Sequence, residues 1–433
     1  MRFPRFRVGP AAIPWLFPNP DVARLEWNSR LRGFRHTQMT EHNRLNRALG
    51  RTLASPLSRA RIEETMRAKR AYCEQVDSLL APLGLDGELM VPGMAKALHE
   101  RLPRKQGVAS YSSNIFRDWA WNNGENEAQF HAVSDVLEAD SRESLGAVLT
   151  LGAGACRLPY DIHRCLSPTL SVALDMNPLL LLIASRVIHG EALSLYEFPI
   201  APRGDSISGT LQTCQAPAAL TAGTDTYFGF LLGDASNPPF AAESFDTVIT
   251  PWLIDILPQD LTEFAAQLNR LVPVGGIWLN TGSLAFHHRD PKRCYGEKEV
   301  FEIVERRGFE LIAIDHRTIP YLQSPQSAHG RNELLVTFAA RKVSDLAEQE
   351  APSSTSPDWL LDVTRPVPGC PEFVVESSSY LLSAQVLAAV DGKRSVHAIA
   401  SMVAREYDLS MDECLHAVAS ILSNAFNDDN GPP

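Results

Sequence analysis

The chain is poor in cysteine, in excess positive charge and in long apolar runs, and each shortage excludes a class of protein. Its seven cysteines (Cys73, Cys156, Cys165, Cys214, Cys294, Cys370 and Cys414) are scattered over 433 residues. None forms a C-x-x-C pair, so neither a zinc site nor a disulfide framework is signalled, and a reducing, cytoplasmic setting is expected. Lys and Arg number 40 against 51 Asp and Glu, a net charge of −11. That balance argues against an unspecific grip on nucleic-acid phosphates, and the arginines of the first residues are too few to reverse it. No apolar run reaches about eighteen residues, and the opening MRFPRFRVGP has no continuous hydrophobic stretch, so neither a membrane span nor a secretory signal is expected. The length exceeds that of an ordinary domain, which predicts one large unit with an appendage.

What is present is organised around one stretch, Ser144 to Pro178. The run Ala147-Val148-Leu149-Thr150-Leu151 has the length and composition of a buried parallel strand, and it stops at Gly152-Ala153-Gly154. Helix-forming residues follow from Arg157 to Arg164, then a second apolar run, Leu170 to Leu174, closed by Asp175. Glycines after a strand let the backbone approach a nucleotide-like ligand, and a carboxylate about twenty residues on suits two ribose hydroxyls. Gly-x-Gly by itself marks a cofactor site about as often as not; Asp175 shifts that balance. A third apolar run, Tyr227 to Leu232, ends in Gly233-Asp234. Dinucleotide folds have no special need of that carboxylate, whereas methyltransferases commonly set one against the adenine amino group. S-adenosylmethionine is therefore favoured over NAD as cofactor.

The alternation continues through Phe245 to Thr250, helix Leu261 to Leu271, strand Ile277 to Asn280, helix Lys298 to Arg307, and strands Phe309 to Ile314 and Glu333 to Ala339. This predicts an α/β fold, a doubly wound seven-stranded Rossmann-like sheet binding its ligands at the carboxyl ends of strands, with an antiparallel edge. Residues 1–109 read as an N-terminal helical region, helical from Asp21 to Leu83 apart from Pro56, with a further piece from Met94 to Leu102. Glu191 to Thr226 carries prolines and glycines without a period, which suits a structureless excursion, either a lid over the site or a plain surface loop. The sheet domain spans 110–342, and the polar, Pro- and Ser-rich residues 343–358 read as a linker. A small module, 359–433, follows. Phe373-Val374-Val375 suits a strand there, and Leu381 to Val390, Val396 to Tyr407 and Met411 to Phe426 suit helices, the last two capped by Ser395 and Ser410, in a three-helix or winged-helix-like unit.

Seven blocks then match a known family in order: NIFRDW (114–119), LGAGACRL (151–158), DMNP (175–178), GDA (233–235), WLIDILP (252–258), LVPVGGIWLNTGSL (271–284) and FHH (286–288). They resemble the core of the carnosine N-methyltransferase family, also called N2227-like proteins, and FRHTQMTEHNRLNRA resembles its N-terminal helices more loosely. The resemblance implies a class I S-adenosylmethionine-dependent methyltransferase fold. It implies that Arg117, with Asn114 one turn before it, contacts the methionyl end of the cofactor and that Gly152 and Gly154 make the close turn. Asp175 takes the place of a ribose-binding glutamate, Asp234 with Ala235 holds the adenine, and Pro251 lies beside the sulfonium. Asp255 and His287 match the family's substrate-contacting aspartate and histidine. Read without the family, the crowd of Phe116, Trp119 and Trp121 beside Arg117, Asp118, Glu125 and Glu127 has two meanings. It docks the N-terminal helices on the sheet, or it presents Arg117 as a planar fork for a carboxylate. The resemblance favours the fork. Two departures stand out: Cys156 replaces a third glycine, and His329-Gly330-Arg331-Asn332 stands where the family has tyrosines that touch the peptide, so the acceptor is expected to differ.

Methyl transfer from a sulfonium is an in-line displacement that needs alignment and exclusion of water more than acid or base strength. For an imidazole acceptor, a carboxylate on the ring N–H opposite the attacking nitrogen fixes the tautomer and raises the basicity of that nitrogen. Asp255 is the candidate, with capping of the next helix as its structural alternative; His287, otherwise a plain loop histidine, would bond the substrate's polar groups or relay a proton. His287, His288 and Asp290 lack helical ligand spacing, so no metal is expected. The run LLSAQVLAAVDGKRSVHAIASMVAREYDLSMDECLHAVASIL resembles the small peptide-binding domain of pyrroloquinoline quinone biosynthesis, which implies a peptide partner; a structural or dimerising tail, and hence a homodimer, fits the same residues. The expected function is an N-methyltransferase acting on a small molecule or short peptide, against a non-catalytic peptide-binding or regulatory protein that keeps the fold.

Overall fold

A computed structural model describes residues 13–18, 20–53, 55–84, 107–109, 111–140, 144–203, 209–220, 227–288, 290–346, 364–369 and 371–428. The helical piece expected at Met94 to Leu102, most of the linker and parts of the 191–226 segment lie outside them.

The first compact unit comprises residues 1–39 and 52–349. Helix α1 (Pro20–Leu49), of which residues 20–39 belong to this unit, and α2 (Pro56–Leu80) come first, α2 starting on Ser55, whose side chain accepts from Leu57 N, with Pro56 in the first turn. Two shorter helices follow, α3 (Ser112–Trp119) and α4 (Glu125–Glu138). Then strands and helices alternate: β1 (Ala147–Leu151), α5 (Arg157–Leu166), β2 (Leu170–Asp175), α6 (Pro178–Ile188), β3 (Leu193–Glu197), β4 (Thr210–Cys214), β5 (Tyr227–Leu232) and β6 (Thr247–Pro251). The sheet is completed by α7 (Leu261–Leu271), β7 (Ile277–Gly282), α8 (Glu297–Arg306), β8 (Phe309–Tyr321) and β9 (Arg331–Lys342).

Seven strands form one sheet in the order β5-β2-β1-β6-β7-β9-β8, parallel from β5 to β7 and antiparallel at β9 and β8. This is the doubly wound sheet with an antiparallel edge that the sequence predicts. The chain runs outward from β1 through β2 to β5 and then returns to place β6 on the other side of β1. The crevice at the carboxyl ends of β1 and β6 is therefore the topological switch point, where such sheets bind ligands. Leu149, Leu151, Ile249 and Leu279 are fully buried, as expected for strands covered on both faces. Beyond β5 the edge is covered by the N-terminal segment: Leu16 N donates to Leu232 O at 2.7 Å and Leu232 N to Pro14 O at 2.9 Å.

Two expectations are corrected. The segment after α6 is not structureless, because β3 and β4 pair as an antiparallel two-stranded sheet. Leu193, Leu195 and Cys214 are buried in one cluster with Tyr72, Trp119 and Leu181, so alternation over five-residue strands, too short to register as a period, is what anchors it. Phe373-Val374-Val375 is helix, not strand, lying in α9 (Pro371–Ala388) of the second unit. The hydroxyls of Ser377 and Ser378 fold back onto Val374 O; the helix-forming residues after this β-branched pair override its strand preference.

The second unit takes residues 350–433 together with 40–51. Within it α9, α10 (Val396–Tyr407) and α11 (Met411–Asp428) bury Val386, Ile399, Val403, Cys414 and Val418. Ser395 accepts from Ala398 N, and Ser410 exchanges bonds with Glu413 in a capping box.

Candidate active site

The turn after β1 holds three left-handed residues at alternate positions, Gly152 at φ 69°, Gly154 at φ 58° and Cys156 at φ 70°. Glycine is needed at the first because the turn is held close to its neighbours. The N–H groups of Gly152 and Ala153 both donate to Leu174 O, at 2.9 and 3.1 Å, which draws the turn against β2. A Cβ at Gly152 would then stand 2.8 Å from Leu253 Cδ1. At Gly154 a Cβ would enter open space, with only Asn114 Nδ2 nearby at 3.9 Å. Cys156 takes the third left-handed position without a glycine's freedom; it is buried, and burial lifts its thiol well above the usual range.

The turn is clamped from outside by α3. Trp119 Nε1 donates to Ala155 O at 2.8 Å, Arg157 N to Asp118 Oδ2 at 3.3 Å, and Arg157 Nη1 to Asp118 O at 3.0 Å. Two of the residues crowded at 114–127 thus dock α3 on the sheet, while Asn114, one turn before Arg117, is the residue of this helix nearest Gly154. Asn114 Oδ1 is buried without a hydrogen-bond partner among the described residues. Arg117, 8 % exposed, has Nε 2.7 Å from Asp118 Oδ1 and 3.8 Å from Glu125 Oε1. Burial pulls its pKa down, but the two carboxylates outweigh that and hold it raised. Among the described residues no hydrogen bond uses its Nη pair.

The carboxylates stand at or just beyond the ends of neighbouring strands, β2 and β5. Asp175 Oδ2 accepts from Gly154 N and Oδ1 from Asn177 N, each at 2.8 Å. Burial nevertheless pushes its pKa up to about 6 against those backbone donors. Next to it, Gly233 N donates to Asp175 O at 3.1 Å, and Asp234 Oδ1 accepts from Ser236 N at 2.8 Å. Ala235 is buried behind it.

Across the switch point β6 ends at the buried Pro251, and Trp252 follows at φ 50°. Gly282 lets that backbone pass, since a Cβ there would lie 2.8 Å from Trp252 N and Cα. The Trp252 ring stands 4.6 Å from that of Tyr321 at the end of β8, and its Nε1 is buried without a partner among the described residues. Asp255 Oδ2 accepts from Ser283 Oγ at 2.6 Å and from Ala285 N at 3.2 Å, joining the loops after β6 and β7; burial raises its pKa. It does not cap the next helix: Asp260 does, accepting from Thr262 N at 2.8 Å. His287 lies two residues beyond Ala285, is exposed, and makes no hydrogen bond among the described residues. His288 instead accepts from Asp290 N. No group of three metal-ligating residues occurs among the described residues.

Gly152, Gly154, Asn114, Asp175, Asp234 and Ala235 thus meet at one end of three adjacent strands, with Pro251 and Asp255 across the crevice. His287 alone is at the rim. Sequence reasoning named Glu125 only as one of a charged crowd and gave no role to Trp252 or Tyr321. Glu125 is 1 % exposed, Oε2 accepts from Leu322 N at 2.8 Å, and burial pushes its pKa up to about 7 despite Arg117. Trp252 opens one of the matched blocks and was within reach; Tyr321 has no local signal.

A family model described as carnosine N-methyltransferase matches residues 96–344, more than half of the chain. Among solved structures the chain is similar to an S-adenosylmethionine-dependent methyltransferase of Leishmania major, with 10% identity over 55% of this chain and 85% of that one, at a TM-score of 0.36. A methyltransferase of Methanosarcina mazei shares 13% identity over 48% of this chain and 98% of its own, at 0.34. Phosphoethanolamine N-methyltransferase 2 of Haemonchus contortus, solved with S-adenosyl-L-methionine, shares 13% over 57% and 60%, at 0.35. No curated protein sequence matches.

Proposed function

The chain belongs to the carnosine N-methyltransferase family and is an S-adenosylmethionine-dependent methyltransferase, and from that premise we propose that it methylates an imidazole nitrogen of a small histidine-containing peptide or related metabolite. The residues present fit the cofactor. Space opens at Gly154 toward Asn114, whose Oδ1 has no partner among the described residues, and which with Arg117 suits an amino-acid end. Asp175 keeps lone pairs beyond its backbone donors and suits ribose hydroxyls; Asp234 and Ala235 suit the adenine, and Pro251 the far side of the crevice. When bound, S-adenosylmethionine supplies an electrophilic methyl group carried on a positively charged sulfur.

The observation that carries the acceptor reading is Asp255, a carboxylate held by Ser283 and Ala285 four residues past Pro251. In this reading it accepts the N–H of the imidazole nitrogen that does not react, fixes the tautomer, makes the reacting nitrogen more basic, and takes up that proton as the ring becomes cationic. Its raised pKa brings the carboxylate nearer to the imidazole's own range, where proton sharing is most effective. His287, at the rim, bonds the acceptor's polar groups. Arg331, whose guanidinium stands 4.7 Å over the Tyr321 ring, belongs to the stretch His329 to Asn332 that stands where the family has tyrosines touching the peptide, so the acceptor is expected to differ from the family's peptide.

Calorimetry with S-adenosylhomocysteine and a mass-spectrometric assay over histidine-containing dipeptides test this. Asp255→Asn is expected to lower kcat by about 10²- to 10⁴-fold and to leave S-adenosylhomocysteine affinity unchanged. Wild-type turnover in that variant removes the role given to Asp255, and a panel without methylated product removes the imidazole acceptor.

A further inference from the structure

The loop between β8 and β9, residues 322–330, has one end at the candidate site. Tyr321, the last residue of β8, packs its ring on that of Trp252. The next residue, Leu322, turns left-handed at φ 48° and donates its N–H to Glu125 Oε2, on the carboxylate beside Arg117. From there the loop walls a cavity of about 210 Å³, to which Leu322, Ser324, Ser327 and His329 contribute. The cavity therefore shares its wall with the stretch, His329 to Asn332, in which this chain departs from the family's peptide-touching tyrosines.

The same lining holds a buried acid with one oxygen unused. Glu197, the last residue of β3, is 4 % exposed, and its Oε2 accepts from Trp121 Nε1 at 3.0 Å and from Gln212 Nε2 at 2.8 Å. No hydrogen bond or ion pair among the described residues uses Oε1. A carboxylate this deep is costly unless charge or further hydrogen bonds compensate it, and two neutral donors on one oxygen leave that compensation incomplete. The surroundings suit a cation. Phe198 packs between Tyr72 and Tyr196, with ring centroids 5.6 and 6.5 Å away, and all three line the cavity, so ring faces that attract positive charge share the space with the carboxylate. Lys69 Nζ stands over the Phe198 ring, 4.5 Å from its centroid, which places an ammonium on these rings without pairing it to Glu197.

We propose that Glu197 selects acceptors carrying an organic ammonium away from the methylated ring, and that this ammonium, from a free amino end or a lysine-like side chain, lies in the cavity on Glu197 Oε1. The ammonium supplies the donors that Oε1 lacks, and the rings shield the pair from water. The inference rests on the acceptor reading above and adds what holds the acceptor's other end.

The test is methyl transfer followed by mass spectrometry on two pairs of peptides, the members of each pair differing by one positive charge. Glycyl-L-histidine is compared with N-acetylglycyl-L-histidine, and N-acetyl-L-lysyl-L-histidine with N-acetyl-L-norleucyl-L-histidine. In at least one pair the charged member is expected to show a kcat/KM about tenfold or more above its neutral partner. Preference in the first pair identifies a free amino end, and preference in the second a side chain. Glu197→Gln should bring that ratio to about one through KM while leaving the neutral peptide within about twofold, whereas a merely structural lesion lowers both members together. A wild-type ratio near one in both pairs, which needs no variant, overturns the role of Glu197 alone. So does a Glu197→Gln protein that binds S-adenosylhomocysteine normally and keeps the wild-type ratio. Product from none of the four peptides removes the imidazole acceptor, and this inference with it.

Discussion

Gly154 concentrates what the site asks of a single residue. Its φ of 58° is a conformation that costs an L side chain about 1–2 kcal/mol, and the place of its missing Cβ is open space facing Asn114. Gly154→Ala should therefore lose about 1 kcal/mol of stability and, because the methyl group stands where the ligand approaches, lower S-adenosylhomocysteine affinity about tenfold or more. Unchanged affinity by calorimetry would move the cofactor away from this turn. Gly152→Ala differs: its Cβ meets Leu253 at 2.8 Å, so it should reduce the melting temperature more than Gly154→Ala. The positions Gly152, Gly154, Asp175 and Asp234 were legible because strand, turn and tip are local patterns. The Trp119 to Ala155 and Arg157 to Asp118 bonds were not, since they join residues 36 and 39 apart whose pairing only tertiary packing decides.

At the scale of elements, two aspartates five residues apart on one loop do different work. Asp260 caps α7 and also accepts from Tyr295 Oη at 2.7 Å, which together with burial pushes that phenol up to about 12. Asp260→Ala should cost about 1 kcal/mol in urea denaturation and let the Tyr295 phenol titrate lower, while leaving turnover within about twofold. Asp255→Asn is expected to do the reverse, sparing stability relative to its effect on rate. Should the two variants behave alike, Asp255 is a structural residue. The seven sheet strands and their flanking helices were readable because continuous apolar runs alternate with amphipathic ones. The β3–β4 hairpin was hidden by prolines and glycines around short strands, and Val374-Val375 misled because β-branching is a weak preference that the following helical residues outvote.

For the whole molecule, the change in composition after residue 342 predicts a C-terminal appendage, whereas the inclusion of residues 40–51 in the second unit had no signal within a helix of uniform pattern. The folded state also titrates in a way that no composition reveals. Asp175 rises from 3.8 to about 6 and Glu125 from 4.5 to about 7, both chiefly by burial. A carboxyl whose folded pKa exceeds its unfolded value binds more protons when folded. Its contribution to stability is thus greatest at low pH and is lost as pH rises from the unfolded value through the folded one. His163, lowered by burial, has the opposite slope up to its ordinary range, so the raw pH curve is a poor test and the difference between variants a good one. Glu125→Gln, which cannot ionise, should gain on wild type as pH climbs from about 5 to 7.5, approaching about 3 kcal/mol at the top, the worth of the Glu125 shift. S-adenosylhomocysteine affinity should move the other way, strengthening through pH 6 as Asp175 ionises and can accept from two hydroxyls. A stability gap that stays flat across that range would mean that Glu125 is not held in a costly charged state. A gap that opens while affinity rises would show that this site is kept ionised at the expense of the fold.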